Sequence, residues 1–315
     1  MLLLAWRRPD TTAKLMQRLQ QVRPTQLFVA CDGVRPGDQP LAEACHLTRM
    51  TIEDSLNWPC QVQRLYRDEH RGCRQGVSEA LDWFFSHVEA GIVLEDDVLP
   101  DPSFFPYCSE LLERYRDDDR IAMVSGCAIG NRPTRDQSSY RFSRLYHVWG
   151  WATWKRAWQN YDARMDHWPT LRAQDWLEDL GGKRFSRYWR HQLDRVWQGR
   201  CDTWDYIWML SCWRQGQVCI LPMVNLVDNL GFTDQRATHT ALDLSPLPRA
   251  GAIEIPLRHP GHHFVDARVD GIDLARYYTP RLPRRLLRRL KRDGRRLWQV
   301  LQRGLRQGLT HPSVG

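Results

Sequence analysis

The sequence predicts an α/β protein with a mixed, mainly parallel sheet flanked by helices and a basic helical tail. Three observations predict it. Short apolar runs alternate with longer amphipathic stretches through the first 126 residues, acidic residues stand directly after two of those runs, and the positive charge is gathered beyond residue 280.

The apolar runs "MLLLA", "LFVACD", "CQVQRLY", "GIVLEDD" and "IAMVSG" read as strands. Between them, "TTAKLMQRLQQV", "LAEACHLTRMTIEDSL", "CRQGVSEALDWFFSHV" and "SFFPYCSELLERY" carry helical periodicity. That alternation implies βα repeats around a parallel sheet, where ligands sit beyond the carboxyl ends of the strands. Asp32, after "LFVAC", and Glu95, Asp96 and Asp97, after "GIVL", occupy that edge.

From about Tyr140 the texture changes to "YRFSRLYHVWGWATWKRAWQNYD", dense in Trp and Tyr. Helical stretches follow near residues 170 to 215, then a short strand, "QVCILP". Residues 241–280 are punctuated by proline and read as irregular. The organisation expected is a domain over 1–240, with a nucleotide-binding half (1–126) and an acceptor half (127–240), an irregular segment (241–280) and a basic amphipathic tail (281–315).

Hydrophobic residues make up 42% of the 315, enough for a sizeable core, and the 15 Trp offer flat surfaces for a ring-shaped ligand or for packing. The nine Cys include no C-x-x-C pair, which fits a reduced cytoplasmic setting better than a disulfide framework or a zinc site. "MLLLAW" is too short for a signal peptide's apolar region or a membrane span. Between Arg281 and Arg306 lie ten Arg and Lys291 against Asp293, a net of +10 in a chain of +8, so the body carries about −2. The body is not basic, and no nucleic-acid partner is expected.

Adjacent like charges repel, so three carboxylates directly after a buried strand call for a positive partner. Hard divalent cations, Mn2+ or Mg2+, prefer carboxylate oxygens and share their shell with phosphates. The plainer alternative is a strand-exit turn, with Asp97 or Asp101 capping a helix at Ser103. In "RCDTWDYIW", Asp202 and Asp205 stand at a helix start, where either would serve as a base for an acceptor hydroxyl or as an N-cap. In "HVWGWATW", Trp149 and Trp151 flank Gly150, a pattern suited to a sugar-binding or acceptor wall, or to core packing.

The segments "LLLAWRRPDTT", "VACDGVRP", "LYRDEHRGCRQGVSEALDWFF", "GIVLEDDVLPDPSFFPYCSELLERYRDDDRIAMVSG", "HVWGWATWKRAWQNYD" and "DNLGF", in this order, resemble a bacterial family-2-like group of GT-A-fold nucleotide-diphospho-sugar glycosyltransferases, sometimes labelled hemolysin-like. More distantly, the layout is similar to that of N-acetylglucosaminyltransferase I. The resemblance covers roughly residues 1 to 240. It implies a Rossmann-like GT-A domain, a nucleotide-diphospho-sugar donor and a hydroxyl acceptor on a glycan or lipid. By position it implies Asp97 on the metal, Glu95 supporting it, Asp96 at the ribose, Asp32 at the base and Arg8 at the nucleotide. Asp205 matches its W-D element better than Asp202 does, and His239 in "DQRATHT" corresponds to a late histidine of the metal shell or diphosphate. Where the group has Asn-x-Gly, this chain has His70, Arg71 and Gly72.

Two other classes compete with an inverting, metal-dependent glycosyltransferase. A metal-dependent nuclease or phosphotransferase would use the E-D-D carboxylates, but a nuclease would want a basic body. A non-catalytic cytolytic protein would need an amphipathic pore-forming segment. In the tail, Leu286, Leu287, Leu290, Leu297, Val300 and Leu301 recur at helical steps among the arginines, as in a helix that lies on an anionic membrane face.

Overall fold

A computed structural model of the chain describes residues 1–129, 137–232 and 248–275. Strands β1 (Leu2–Ala5), β2 (Gln26–Cys31), β3 (Gln61–Tyr66) and β4 (Ala90–Glu95) alternate with helices α1 (Pro9–Val22), α2 (Gln39–Ser55) and α3 (Gly72–His87), which is the expected βα repeat. Pro9 suits the first turn of α1, where its missing N–H is no loss. Asp38 caps α2 by accepting from the backbone N–H of Leu41 at 3.1 Å.

Beyond β4 come β5 (Val98–Pro100), α4 (Phe104–Arg114), β6 (Ile121–Ser125), β7 (Tyr140–Ser143), β8 (Trp151–Trp154), α5 (Lys155–Trp158) and α6 (Trp168–Arg172). These are followed by α7 (Trp176–Trp197), α8 (Asp205–Arg214), β9 (Val218–Pro222), β10 (Val227–Asn229) and α9 (Ala267–Asp273). The main sheet has eight strands in the order β3-β2-β1-β4-β8-β6-β9-β7. The block β3-β2-β1-β4 is parallel, β8 runs antiparallel between β4 and β6, β9 is parallel to β6, and β7 closes the far edge antiparallel.

Two apolar layers cover the sheet. Leu2, Leu4, Phe28 and Ala30 point into one, with Phe84, Trp189 and Trp208 from the helices. Leu3, Ala5, Leu27 and Val29 point into the other, with Leu15, Leu19, Ile52, Phe104 and Leu111. A strand buried on both faces needs apolar residues at every position, which is why β1, β2 and β4 read as nearly unbroken hydrophobic runs, whereas β3, at the partly exposed edge, carries Gln and Arg.

Two expectations need revision. The aromatic stretch after Tyr140 contributes two strands, and β8 sits inside the sheet. The irregular segment contains α9, capped by Asp266 and held to β7 by a buried ion-pair group: Arg141 meets Asp270 at 2.5 Å and Asp273 at 2.8 Å. The basic tail and His239 lie outside the described residues.

Candidate active site

Because β1, β2 and β4 are parallel and paired in register, their carboxyl ends emerge on one edge of the sheet. Arg8, Asp32 and the E-D-D cluster therefore converge on one cleft of about 450 Å³. The loop into α8 adds Asp202, Thr203 and Asp205, the turn after β3 adds Arg67 and His70, and Trp149 and Asn229 add further wall. Six carboxylates (Asp32, Glu95, Asp96, Asp97, Asp202 and Asp205) face three guanidiniums (Arg8, Arg35 and Arg67).

The positive partner that the carboxylates call for is present in the chain itself. Arg8 reaches Oδ1 of Asp96 with Nη2 at 2.5 Å and Oδ2 of Asp97 with Nη1 at 2.6 Å. The backbone N–H of Trp6 adds a bond to Oδ2 of Asp96 at 3.0 Å. Burial works against the charge on Arg8, yet Asp96, Asp97 and Glu95 together outweigh it and hold the guanidinium more firmly protonated than usual. Burial, reinforced by Asp97, pushes the Glu95 carboxyl up to about 8 against the pull of Arg8. Asp96 is raised to about 6 by burial, with Arg8 opposing.

Asp97 is 7% exposed, and its second oxygen, Oδ1, is buried with no hydrogen-bond partner in the protein. An orphaned buried carboxylate oxygen is costly unless something cationic completes it. Among the described residues no three His, Cys, Asp or Glu side chains form a metal cage. The carboxylate oxygens of Asp97 and its neighbours are hard donors, the kind that hold Mg2+ or Mn2+ through one or two side chains with phosphate and water completing the shell. The plainer alternative holds in part: Asp96 and Asp97 form the turn from β4 into β5, and Asp101, not Asp97, accepts from the backbone N–H of Ser103 at 2.9 Å.

The "DNLGF" segment closes over Asp97. β10 pairs with β5, the backbone N–H of Leu230 donates to the Asp97 carbonyl at 2.8 Å, and a Cβ on Gly231 would run into Oδ2 of Asp97. Only glycine leaves the carboxylate in place there.

Asp32 is occupied by the protein's own turn. Its carboxylate accepts from the backbone N–H groups of Gly33 (2.9 Å), Arg71 (3.0 Å) and Gly72 (3.3 Å), and Nδ1 of His70 lies 2.7 Å from Oδ2. His70 stacks on Trp6 with ring centres 4.6 Å apart, and the Trp6 indole donates to the Gly33 carbonyl at 2.9 Å. Asp32 thus shapes the wall at which a nucleobase was expected, while Trp6, His70 and exposed Arg35 present the surface.

The two loop acids divide. Both oxygens of Asp202 accept from backbone amides of α3. Asp205 begins α8, accepts from the Thr203 hydroxyl and from its neighbour's N–H, and lines the cleft. The two tryptophans divide as well. Trp149 lines the cleft and meets Phe232 edge-on at 5.0 Å, whereas Trp151 is fully buried and stacked on Trp204 at 5.5 Å. Trp151 is thus a core residue, not a wall residue: it opens β8 and is covered by Trp204 and Trp208, whereas Trp149 lies outside the strand, on the other side of Gly150. Gly150 serves the backbone: its φ is +64°, and a Cβ would meet Val227 at 2.8 Å.

Trp6, Arg35, Arg67, His70, Thr203 and Asn229 were absent from the sequence-based site. All but Thr203 lie inside segments that carry the resemblance, "LLLAWRRPDTT", "VACDGVRP", "LYRDEHRGCRQGVSEALDWFF" and "DNLGF", so a signal for those five was present.

No protein-family model and no curated protein matches the chain. Among solved structures, HddC from Yersinia pseudotuberculosis is similar over 53% of this chain and 82% of its own, at 13% identity and a TM-score of 0.32. The 4-diphosphocytidyl-2C-methyl-D-erythritol synthase from Anaerococcus prevotii is similar over 51% and 75%, at 11% identity and a TM-score of 0.30. A mannose-1-phosphate geranyltransferase from Thermus thermophilus is similar over 72% and 74%, at 11% identity and a TM-score of 0.31. At these scores the likeness assigns no activity.

Proposed function

We propose that the protein is an inverting glycosyltransferase that moves a sugar from a nucleotide-diphospho-sugar to a hydroxyl of a glycan or lipid-linked acceptor. The observation that carries this reading is the orphaned Oδ1 of Asp97 in an acid-rich cleft at the carboxyl edge of a parallel sheet, with Asp205 in the same cleft. Such an edge is where α/β proteins take nucleotides.

A Mn2+ or Mg2+ ion held at Asp97, with Glu95 beside it, would supply positive charge for the diphosphate leaving group. Arg8 holds Asp96 and Asp97 in place before any ligand arrives. Asp205 takes the proton of the acceptor hydroxyl as its oxygen bonds to the anomeric carbon. In the same step the bond from that carbon to the diphosphate breaks, and the nucleoside diphosphate leaves with the electron pair. Trp149 offers its face to the apolar side of a sugar ring.

The sequence of the tail bears on where the acceptor is met. A segment of net charge +10 with an apolar stripe suits an anionic membrane face, where each cation contributes roughly 1 kcal/mol. Among the described residues no helix is long and apolar enough to cross a membrane. Vesicle co-sedimentation of the full chain, with and without residues 281–315, tests this part.

The reaction is tested by incubating the protein with Mn2+ and a panel of uridine, guanosine and thymidine diphospho-sugars. Stabilisation by one donor and release of its nucleoside diphosphate are expected, both lost in Asp97→Asn. Release of pyrophosphate, or no response to any donor, would overturn the reading in favour of a nucleotidyl- or phosphotransferase.

A further inference from the structure

We propose that Asp202 is a positioning residue that fixes the base-bearing loop to the nucleotide-binding half, rather than a second base. The inference rests on the transferase reading above. Helix α3 has no side-chain cap from its own sequence, since Arg71 precedes it without a cap hydrogen bond. The free amides of its first turn are met from across the cleft: Oδ2 of Asp202 accepts from the backbone N–H of Cys73 at 2.9 Å and Oδ1 from that of Arg74 at 3.2 Å. A carboxylate at this end is also favoured by the helix dipole.

Gly72 completes the joint. Its φ is +83°, and a Cβ there would stand 2.8 Å from Oδ2 of Asp202. On the other side of the same turn, Asp32 collects the amides of Arg71 and Gly72. The turn is thus gripped by one acid from the end of β2 and by another from the loop into α8. Only Thr203 and Trp204 separate Asp202 from Asp205, so a shift of that loop moves Asp205 relative to the E-D-D carboxylates. Because misplacement of a reacting group by about 1 Å costs on the order of 100-fold in rate, a helix cap at this point sets turnover.

Asp202→Ala, Asp202→Asn and Gly72→Ala in the full-length protein test the proposal. Asp202→Ala should lower kcat by roughly 30- to 100-fold, with affinity for Mn2+ and UDP or GDP within about twofold of wild type. Asn keeps one carbonyl acceptor and should recover most of the loss, while Gly72→Ala, which pushes against the Asp202 carboxylate, should reproduce it. A cap of purely structural importance would lower the melting temperature and leave kcat per folded molecule unchanged.

Backbone amide NMR signals of Thr203, Trp204, Asp205 and Tyr206 provide a readout that needs no turnover. They should move in Asp202→Ala and return in Asp202→Asn whatever reaction the protein catalyses. Unmoved signals, or full kcat in Asp202→Ala and Gly72→Ala, would overturn the proposal. If Asp202→Ala does not fold, Gly72→Ala decides alone on the same two measurements. A wild type that transfers no sugar removes the transferase reading, and with it the claim on turnover, while the amide signals still decide whether Asp202 holds the loop.

Discussion

Arg8 and Asp96 meet at 2.5 Å, and the same guanidinium holds Asp97 with its other arm. The helix that follows β1 thus begins beside a fork over the two acids that follow β4. Removing one partner of a buried pair is costly because the others are left as uncompensated charges.

Arg8→Met should therefore destabilise the fold by about 3 kcal/mol at neutral pH, read by urea denaturation. The loss should shrink at pH 5, where the Asp96 carboxyl, already raised to about 6 by burial, takes up a proton. Equal destabilisation at both pH values would show that packing of the side chain matters more than its charge.

Glu95 makes stability depend on pH in the opposite sense from an ordinary ion-paired acid. Its folded value of about 8 lies above its ordinary 4.5, so between these values the native state keeps a proton that the unfolded chain has released. Stability is then full below pH 4.5 and falls as pH rises through 8. Glu95→Gln should flatten that part of a melting-temperature profile measured without metal.

Asp205→Asn should reduce kcat by at least about 100-fold with donor affinity unchanged, since the amide keeps the hydrogen bonds of the loop but cannot accept the proton. Steady-state kinetics with calorimetry separates the two quantities. Turnover near the wild-type level would move the base elsewhere in the cleft.

Trp149 and Trp151 should behave as different kinds of residue. Trp151→Ala empties a fully buried site and should cost about 3–5 kcal/mol of stability. Trp149→Ala should leave the melting temperature within a few degrees and raise the KM for acceptor or donor sugar.

The contrast between these two tryptophans also shows what the sequence made legible. Strands such as "LFVAC" and "GIVLE" were readable because a parallel strand covered on both faces is apolar throughout. "WATW" was not, because four residues rich in Trp fit a ligand wall as well as a strand, and only pairing with β4 and β6 decides. The acids at the strand ends were visible as a cluster. Their counter-charge was not, since Arg8 lies 89 positions from Asp97. The cap on α3 comes from an acid 129 positions away, a distance at which no local pattern carries a signal.

The place of β8 bears on how the chain is made. All four strands of the parallel block are synthesised by residue 95, so that block forms while the rest is still emerging. β6 is the next strand of this sheet to be made but belongs one position further out, and the slot between β4 and β6 stays open until residue 154. For that interval β4 presents an unpaired edge, which β6 can occupy out of turn or a second nascent chain can extend. Expression at low temperature or with chaperones should therefore raise the soluble yield, and chains truncated before β8 should aggregate through the β4 edge.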